Sequence, residues 1–243
     1  MAGEKITIAL AGNPNSGKTS LFNALTGARQ HVGNYPGVTV EKKWGQAKRN
    51  GHQIEVVDLP GIYSLTAYSL EELVARNFLI KEKPDVVVDV VDAANLERNL
   101  YLAVQFLELG VPMVIALNMM DVAESRDIDI NITELSRLLG VPIVPTVARK
   151  GQGMEQLLKA VTDLARQKPD WQPLEISYGQ DVDQALQEMM ACFNGQSLVW
   201  QPLSPRWVGI KLLENDREVV QQVSLDPGLA AHLEELRLKL TEH

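Results

Sequence analysis

Apolar positions follow two different periods over the first two thirds of the chain. Short runs that alternate or are wholly apolar, as at Ile6, Ile8 and Leu10, are typical of strands. Longer segments between them carry a helical stripe, as at Leu100 and Leu107. The pattern predicts strands at 6–10, 40–47, 53–57, 85–91, 112–117 and 141–147, and helices at 20–25, 70–81, 96–109, 132–139 and 154–166.

Local turn and capping signals set several of these boundaries. Ser69 and Glu72 have the spacing of a capping box, which predicts a helix start. Asn50-Gly51, between two strand-like runs, is a strong hairpin signal, and Gly27 predicts the end of the first helix. Residues 28–39 show no clear periodicity and hold two glycines and a proline, so we expect a mobile loop there.

The order of these elements predicts the fold class. Strands that alternate with helices favour an α/β fold with a mostly parallel sheet, to which the hairpin adds one antiparallel strand. Two prolines at 168–173 predict a linker, and beyond it only helices are expected, at 182–193, 205–213, 217–223 and 227–240. Ser204-Pro205 and Asp226-Pro227 are typical helix starts. We therefore expect two domains, 1–168 and a small all-helical 169–243.

Composition and charge exclude several classes of protein. The 243 residues are 45% hydrophobic and 22% charged, which suits a chain with a full core, and the net charge of −8 argues against a nucleic-acid surface. Cys192 is the single cysteine, so we expect no internal disulfide and place it in the core of an apolar helix stripe. The longest apolar runs are interrupted by aspartates, so we expect a soluble, cytoplasmic chain without a membrane span.

The first strand leads into a phosphate-loop motif, G-x-x-x-x-G-K-S/T, and then into a helix. This order is the context in which the motif binds phosphate; a chance Gly-rich turn is the alternative. Lys18 would contact the outer phosphates, and the Thr19 hydroxyl would ligate Mg²⁺. The predicted nucleotide-binding residues are Gly12, Asn13, Pro14, Asn15, Ser16, Gly17, Lys18, Thr19 and Ser20.

A second motif, Asp58-Leu59-Pro60-Gly61, stands at the end of a later strand. We expect Asp58 to hold Mg²⁺ through a water, and the Gly61 N–H to reach the terminal phosphate. Thr39, between the phosphate loop and Asp58, is the candidate that would close over Mg²⁺ and the γ-phosphate. The alternatives are an ordinary turn at Asp58 and a strand-entry role for Thr39.

A third motif, Asn118-Met119-Met120-Asp121, matches the N-x-x-D pattern that binds guanine. A carboxylate at Asp121 would accept hydrogen bonds from two guanine donors that adenine does not offer together. Met119 replaces the usual Lys and would supply the apolar contact with the base. Thr146, Val147 and Ala148 stand where such proteins often have a further base contact, which we expect from the Ala148 N–H.

Together, 12–19, 33–39, 58–61 and 118–121 closely resemble the cytosolic G-domain of bacterial FeoB-type ferrous-iron transporters, over about residues 5–165. The resemblance implies a phosphate-loop GTPase fold, GTP and GDP as ligands, and a location at the cytoplasmic face of the inner membrane. It implies a membrane-spanning part of the same polypeptide as partner. From the acidic charge we expect no nucleic-acid partner, and a homo-oligomer stays open. The helical remainder is similar in position to that family's regulatory domain, which is linked to GDP retention.

The resemblance also implies how hydrolysis would proceed. Many GTPases have a Gln after D-x-x-G, but this chain has Ile62, so we expect slow hydrolysis or another form of assistance. In potassium-activated GTPases with similar loops, the residue matching Asn15 coordinates K⁺; the alternative is a polar residue needed for loop geometry. The catalytic residues predicted are Asn15, Lys18, Thr39 and Gly61.

Two other functions stay open at this point. One is a ribosome- or tRNA-associated GTPase, against which the acidic charge weighs. The other is a nucleotide-binding regulator with negligible catalysis. No iron site is predicted, because the four histidines are scattered along the chain: His31, His52, His232 and His243.

Overall fold

The computed structural model describes residues 5–27, 30–49, 52–66, 68–167, 175–193, 204–223, 225 and 227–241. They fall into two compact units, Met1–Leu107 with Val111–Leu174 and Glu108–Gly110 with Glu175–His243. The predicted Asn50-Gly51 turn, the linker at 168–173 and the helix-start residue Asp226 lie outside the described residues. The domain boundary at 168/169 therefore stays a prediction.

In the first unit, the described strands form one seven-stranded sheet in the order β2-β3-β4-β1-β5-β6-β7. The adjacent strands β4, β1, β5, β6 and β7 pair in parallel. Strand β3 pairs antiparallel with both β2 and β4. The predicted mixed α/β fold with a mostly parallel sheet is confirmed. The strands are β1 Lys5–Ala11, β2 Gln30–Asn34, β3 Glu41–Arg49, β4 His52–Asp58, β5 Val86–Asp92, β6 Met113–Asn118 and β7 Ile143–Pro145.

The helices of this unit alternate with the parallel strands. They are α1 Lys18–Thr26, α2 Leu70–Glu82, α3 Leu96–Leu109, α4 Met120–Ser125, α5 Ile132–Leu139 and α6 Met154–Gln167, with 3₁₀ turns at Ala93–Asn95 and Ala148–Lys150. The predicted capping box is confirmed: Glu72 N–H donates to Ser69 Oγ, and the Glu72 carboxylate accepts from the Ser69 N–H. The predicted end of α1 at Gly27 is also confirmed, with its N–H bonded to the Asn23 carbonyl.

The sheet is covered on both faces, which explains the unbroken apolar run in β5. Val86, Val88 and Val90 are fully buried in one cluster with Leu21 of α1 and Leu157 of α6. Strand alternation turns Val87, Asp89 and Val91 to the opposite face. A central parallel strand needs apolar side chains on both faces, so its apolar residues form a continuous run and do not alternate with polar ones.

The prediction of a loop at 28–39 is wrong over its middle part, which forms β2. Every residue of β2 is at least partly exposed, so the strand has no buried face and leaves no periodic signal. Pairing with β3 holds it instead, from Gln30 opposite Gly45 to Asn34 opposite Glu41, and the His31 and Trp44 rings stack.

Three smaller differences between the predicted and the observed structure each have a local cause. The pattern does not predict α4, which is only six residues long. Strand β7 is shorter than the predicted 141–147, because Val147 instead pairs with Gln152 beyond the strand. Cys192, expected in the core, is exposed, because the buried side of its helix is formed by Ala185, Leu186, Met189 and Phe193.

The second unit consists of helices in its described residues. They are α7 Gln180–Phe193, α8 Pro205–Leu213, α9 Arg217–Gln222 and α10 Pro227–Thr241. Ser204 and Asp216 cap α8 and α9 by accepting from the N–H groups of Trp207 and Val219. In the described part of the chain, no helix combines the length and hydrophobicity that crossing a membrane requires.

Candidate nucleotide-binding site

The loop from Gly12 to Gly17 joins the end of β1 to the start of α1 and turns sharply. Gly12, Asn15 and Gly17 have positive φ angles of 144°, 67° and 89°, which produce the sharp turns of the loop. A side chain at Gly12 would put its Cβ 2.6 Å from the Val90 carbonyl oxygen. The loop is therefore held close against β5 and opens at the carboxyl ends of the strands, where α/β sheets bind ligands.

Lys18 and Asp58 meet at the mouth of this loop. Lys18 Nζ lies 2.5 Å from Asp58 Oδ1, and the two side chains are only 11% and 8% exposed. The contact follows from the sheet, because β1 and β4 are neighbours and Leu10 lies opposite Asp58. Burial raises the pKa of Asp58 above its usual value, and the Lys18 charge acts in the opposite direction.

The segment after Asp58 lies against the phosphate loop. The Ile62 N–H donates to the Gly12 carbonyl over 3.3 Å, and a Cβ at Gly61 would lie 3.3 Å from Pro14 Cα. Ile62 is 2% exposed, so its side chain is packed in the protein rather than directed at solvent. The structure thus brings Gly61 to the phosphate loop and offers no polar side chain at the next position.

Asn118 connects the phosphate loop to the last strand of the sheet. Its Nδ2 donates to the Ser16 carbonyl over 2.9 Å, and its Oδ1 accepts from the Ala148 N–H at 3.0 Å and from Thr146 Oγ1 at 3.3 Å. We predicted that the Ala148 N–H would contact the base. In the structure this donor is bonded to Asn118, so a base contact would have to share or replace that bond.

Asp121 stands in the first turn of α4, which begins directly after Met119, a residue with a left-handed φ of 60°. Asp121 Oδ2 accepts from Arg149 at 2.6 Å and from Lys150 at 3.0 Å. The hydrogen bond from Arg149, followed by that from Lys150, lowers the pKa of Asp121. The carboxylate is therefore ionised at neutral pH and can accept hydrogen bonds from a base.

Four of the remaining predicted residues lie at the surface, whereas Val147 is buried. Thr19 and Ser20 are exposed in the first turn of α1, and Asn15 is exposed at the tip of the loop. Thr39 is exposed in the connection between β2 and β3. Among the described residues it forms no hydrogen bond with Thr19 or Asp58, and its role as a metal ligand stays a prediction.

Several features of this site fit a phosphate group and a hard cation. Asn13 Oδ1 and Ser16 Oγ are buried and have no hydrogen-bond partner among the described residues. A Cβ at Gly12 or Gly17 would collide with Val90 or Asn118, so the loop can adopt this phosphate-binding shape only with glycine at these positions. A hydroxyl at Thr19 and a carboxylate at Asp58 are oxygen donors of the type that Mg²⁺ prefers.

Two contributions to the site were not predicted from the sequence. Arg149 and Lys150 pair with Asp121; the signal was present, since both cations directly follow Ala148. Tyr35 donates from its hydroxyl to the backbone carbonyl of Asp58 over 3.3 Å. Nothing in the sequence shows that contact, because it depends on how β2, β3 and β4 pair.

The fold and the loop geometry together define a phosphate-loop protein of the GTPase fold class. Comparison with known families is more specific. Residues 6–161 match the family model described as ferrous iron transport protein B, and residues 178–243 match the FeoB cytosolic helical domain. The chain belongs to the FeoB family, as the resemblance predicted.

Curated relatives are transporters considerably longer than this chain. An Fe(2+) transport protein A/Fe(2+) transporter FeoB fusion protein from Porphyromonas gingivalis is 45% identical over 227 residues, or 93% of this chain and 27% of that protein. Fe(2+) transporter FeoB of Escherichia coli (strain K12) is 45% identical over 217 residues, or 88% of this chain and 27% of that protein. The chain thus spans about a quarter of the length of these relatives.

Solved structures agree with the fold over nearly the whole chain. An S. thermophilus NFeoB mutant bound to mGDP has a TM-score of 0.90 and 42% identity, with 98% of this chain and 90% of that chain covered. The cytosolic domain of the T. maritima FeoB iron transporter in a GDP form has a TM-score of 0.85 and 34% identity, covering 98% of this chain and 97% of that chain.

Proposed function

We propose that this chain binds guanine nucleotides and hydrolyses GTP to GDP and phosphate as the cytosolic regulatory part of a ferrous-iron transporter. The observation that carries the proposal is Asn118, which joins the phosphate loop at Ser16 to the turn at Ala148 and stands three residues before Asp121. One residue would thereby set the distance between the bound phosphates and the bound base. The solved relatives in GDP-bound form support the same ligand class.

Phosphate binding would use the groups at the mouth of the loop. Lys18 is paired with Asp58 at 2.5 Å, so it would turn from that carboxylate toward the outer phosphates when nucleotide enters. Thr19, with Asp58 through a water, would hold Mg²⁺, which neutralises charge on the phosphate oxygens. The inward-facing N–H groups of the loop and the N-terminus of α1 would hold the remaining phosphate charge.

Base selection would depend on Asp121. An ionised carboxylate accepts but does not donate, so it matches guanine's ring N–H and amino group. Adenine offers no such pair of donors, so it could not form these two hydrogen bonds to Asp121 and would bind less tightly. Met119 and Ala148 would complete the base contacts.

Hydrolysis would be slow without further assistance. Attack of water on the γ-phosphorus breaks the bond to the β-phosphate oxygen and releases GDP and phosphate. Ile62 is apolar and buried, so it can neither orient that water nor accept its proton. The same observation favours a second candidate function, a nucleotide-binding regulator with negligible turnover.

A monovalent cation near Asn15 would supply the missing assistance. Its charge would stabilise the negative charge that develops between the phosphates. The backbone of Asn15 is also left-handed at φ 67°, a conformation that Asn tolerates better than most residues. Replacement by Ala would therefore combine loss of the side-chain oxygen with backbone strain.

The matched test uses Asn15→Gly, since glycine keeps the left-handed backbone and lacks the oxygen. Phosphate release from GTP is measured in KCl and in NaCl of equal ionic strength. We expect faster release in KCl for the unmodified chain, and equal rates in both salts for Asn15→Gly with GDP affinity retained. Equal rates in both salts for the unmodified chain would rule out the cation. Single-turnover release no faster than uncatalysed hydrolysis would favour the non-catalytic regulator.

The wider role follows from the family. GTP would order the loops around Thr39 and residues 58–68, and hydrolysis would release them. The helical domain at 169–243 would favour GDP retention and pass the change to a membrane-spanning part of the full-length protein, at the cytoplasmic face of the inner membrane. A homo-oligomer is compatible with this role. Salt-dependent RNA binding by the purified chain would instead favour a ribosome-associated GTPase.

A further inference from the structure

Tyr35 is buried at the start of the connection that carries Thr39. The residue follows β2 directly and is 6% exposed. Its hydroxyl donates to the Asp58 carbonyl at 3.3 Å. Burial, and then the Asp58 charge, raise the pKa of the Tyr35 hydroxyl above its usual value, so the group remains a neutral donor.

The same residue closes the connection between β2 and β3. Its N–H donates to the Val40 carbonyl at 3.0 Å, and its carbonyl accepts from the Val38 N–H at 3.3 Å. Gly37, with a φ of 76°, makes the turn between them. Thr39 is therefore held in a short loop that is tied to Tyr35 near both of its ends.

Tyr35 also contacts the helix that follows Asp58 along the chain. Its ring meets the Phe78 ring of α2 edge-on, with centroids 6.2 Å apart and planes at 80°. The Lys42 ammonium lies 5.7 Å from the Tyr35 ring centroid and 5.5 Å from that of Phe78. Aromatic and cation–π contacts of this kind fix the orientation of the ring.

These contacts join three parts of the candidate site. Asp58 is bound through its carbonyl to Tyr35 and through its carboxylate to Lys18. A shift of the Thr39 loop that moved Tyr35 would disturb the end of β4 and the packing of α2. A movement of Asp58 would in turn displace Tyr35 and the start of the Thr39 loop.

We propose that Tyr35 is a positioning residue that couples the Thr39 loop to Asp58 and α2. The proposal rests on the proposed GTPase function, because coupling matters only if the loop closes over a γ-phosphate. Closure has an entropic cost, and a loop already anchored at its base loses less freedom when it orders. The GDP-bound state offers no γ-phosphate to Thr39, so the anchor should contribute little to GDP affinity.

The alternative is a core tyrosine that only adds stability. Such a residue would affect the free energy of unfolding and shift GDP and GTP affinities together. Coupling instead predicts a change in the ratio of the two affinities. This ratio is the readout that a purely structural role would leave unchanged.

The test is Tyr35→Phe, which keeps the ring and removes the hydroxyl, with the exposed Tyr101→Phe as matched control. Affinities for GDP and for a non-hydrolysable GTP analogue are measured with Mg²⁺, together with the unfolding midpoint without nucleotide. We expect about a five-fold loss of analogue affinity in Tyr35→Phe, as for one neutral hydrogen bond, with GDP affinity retained. Tyr101→Phe should change neither affinity.

Equal changes in both affinities, or no change, would overturn the proposal. If Tyr35→Phe is poorly folded, Phe78→Leu serves as the second variant, because it keeps the Tyr35 hydroxyl and loosens the contact with α2. It should lower the ratio of analogue affinity to GDP affinity. An unchanged ratio in that variant also counts against coupling. An unmodified chain that binds no GTP analogue would refute the proposed function itself. A normal unmodified chain with an unaffected Tyr35→Phe ratio would refute only the coupling.

Discussion

The side-chain amide of Asn118 donates to the backbone carbonyl of Ser16, 2.9 Å away and 102 residues earlier in the chain. The bond joins the end of β6 to the phosphate loop, which follows β1. Strand β5 lies between β1 and β6 in the sheet. The bond explains why a motif at residue 118 and a motif at residue 12 can act on one ligand. A guanine base bound next to Asn118 would therefore lie at a set distance from phosphates bound by the loop.

Replacing Gly17 by Ala should disrupt this connection. Gly17 has a φ of +89°, and a Cβ there would come 2.2 Å from Asn118 Nδ2. We expect the variant to lose about 2–3 kcal/mol of unfolding free energy and its nucleotide affinity, because both backbone strain and a displaced amide contribute. Urea unfolding and GDP titration measure the two effects.

Gly140→Ala is the matched control for this variant. Gly140 has a similar φ of +67°, but a Cβ there would meet nothing within 4 Å. It should lose only about 1 kcal/mol from backbone strain and keep its nucleotide affinity. Similar losses of stability and affinity in the two alanine variants would show that the contact with Asn118 is unimportant.

Replacing Lys18 by Ala should abolish most of the GTP turnover. The variant removes the cation expected at the outer phosphates and leaves the buried Asp58 carboxylate without its partner. We expect phosphate release to fall at least about 100-fold, as for the loss of a preorganised charge in a closed site. The exposed Lys81→Ala, in the last turn of α2, serves as control and should release phosphate at the unmodified rate.

Asp89 should make the unfolding free energy depend on pH. It is 1% exposed on β5, its Oδ2 has no hydrogen-bond partner among the described residues, and burial raises its pKa from 3.8 to about 7. Since the folded state binds the proton more tightly, the stability contribution is present below pH 3.8 and is lost as pH rises through about 7.

Asp89→Asn removes this titration with little change in volume. Relative to the unmodified chain, it should gain about 2–4 kcal/mol of unfolding free energy at pH 8, and this gain should shrink toward pH 5. Urea unfolding at several pH values measures the difference. A gain that is constant over this range would mean that Asp89 does not titrate there.

The sequence predicted the elements that carry a strong local signal. The parallel strands, the capping box of α2 and the helix α3 combine apolar periodicity with defined ends, so propensity and packing agree. Strand β2 was missed because it buries no face and depends on a partner that is distant in sequence. Cys192 was misplaced because a stripe of apolar residues does not show which edge of it meets the core.

The contacts in the candidate site also divide into those that the sequence predicted and those that it did not. Motif spacing predicted that Lys18 and Asp58 would lie near a shared phosphate site, and strand order explains their contact. Motif spacing did not predict that the Ala148 N–H would bond Asn118, or that Tyr35 would reach Asp58. Those contacts depend on side-chain directions at strand ends, which no local pattern specifies.

Nucleotide competition with GTP, ATP and XTP, on the unmodified chain and on Asp121→Asn, measures guanine recognition by Asp121. Xanthine carries an oxygen where guanine carries its amino group, so an amide at residue 121 can donate where the carboxylate accepted. We expect a clear preference for GTP over ATP and XTP in the unmodified chain, and a shift of that preference toward XTP in the variant. An Asp121→Asn chain that still prefers GTP would contradict guanine recognition by Asp121.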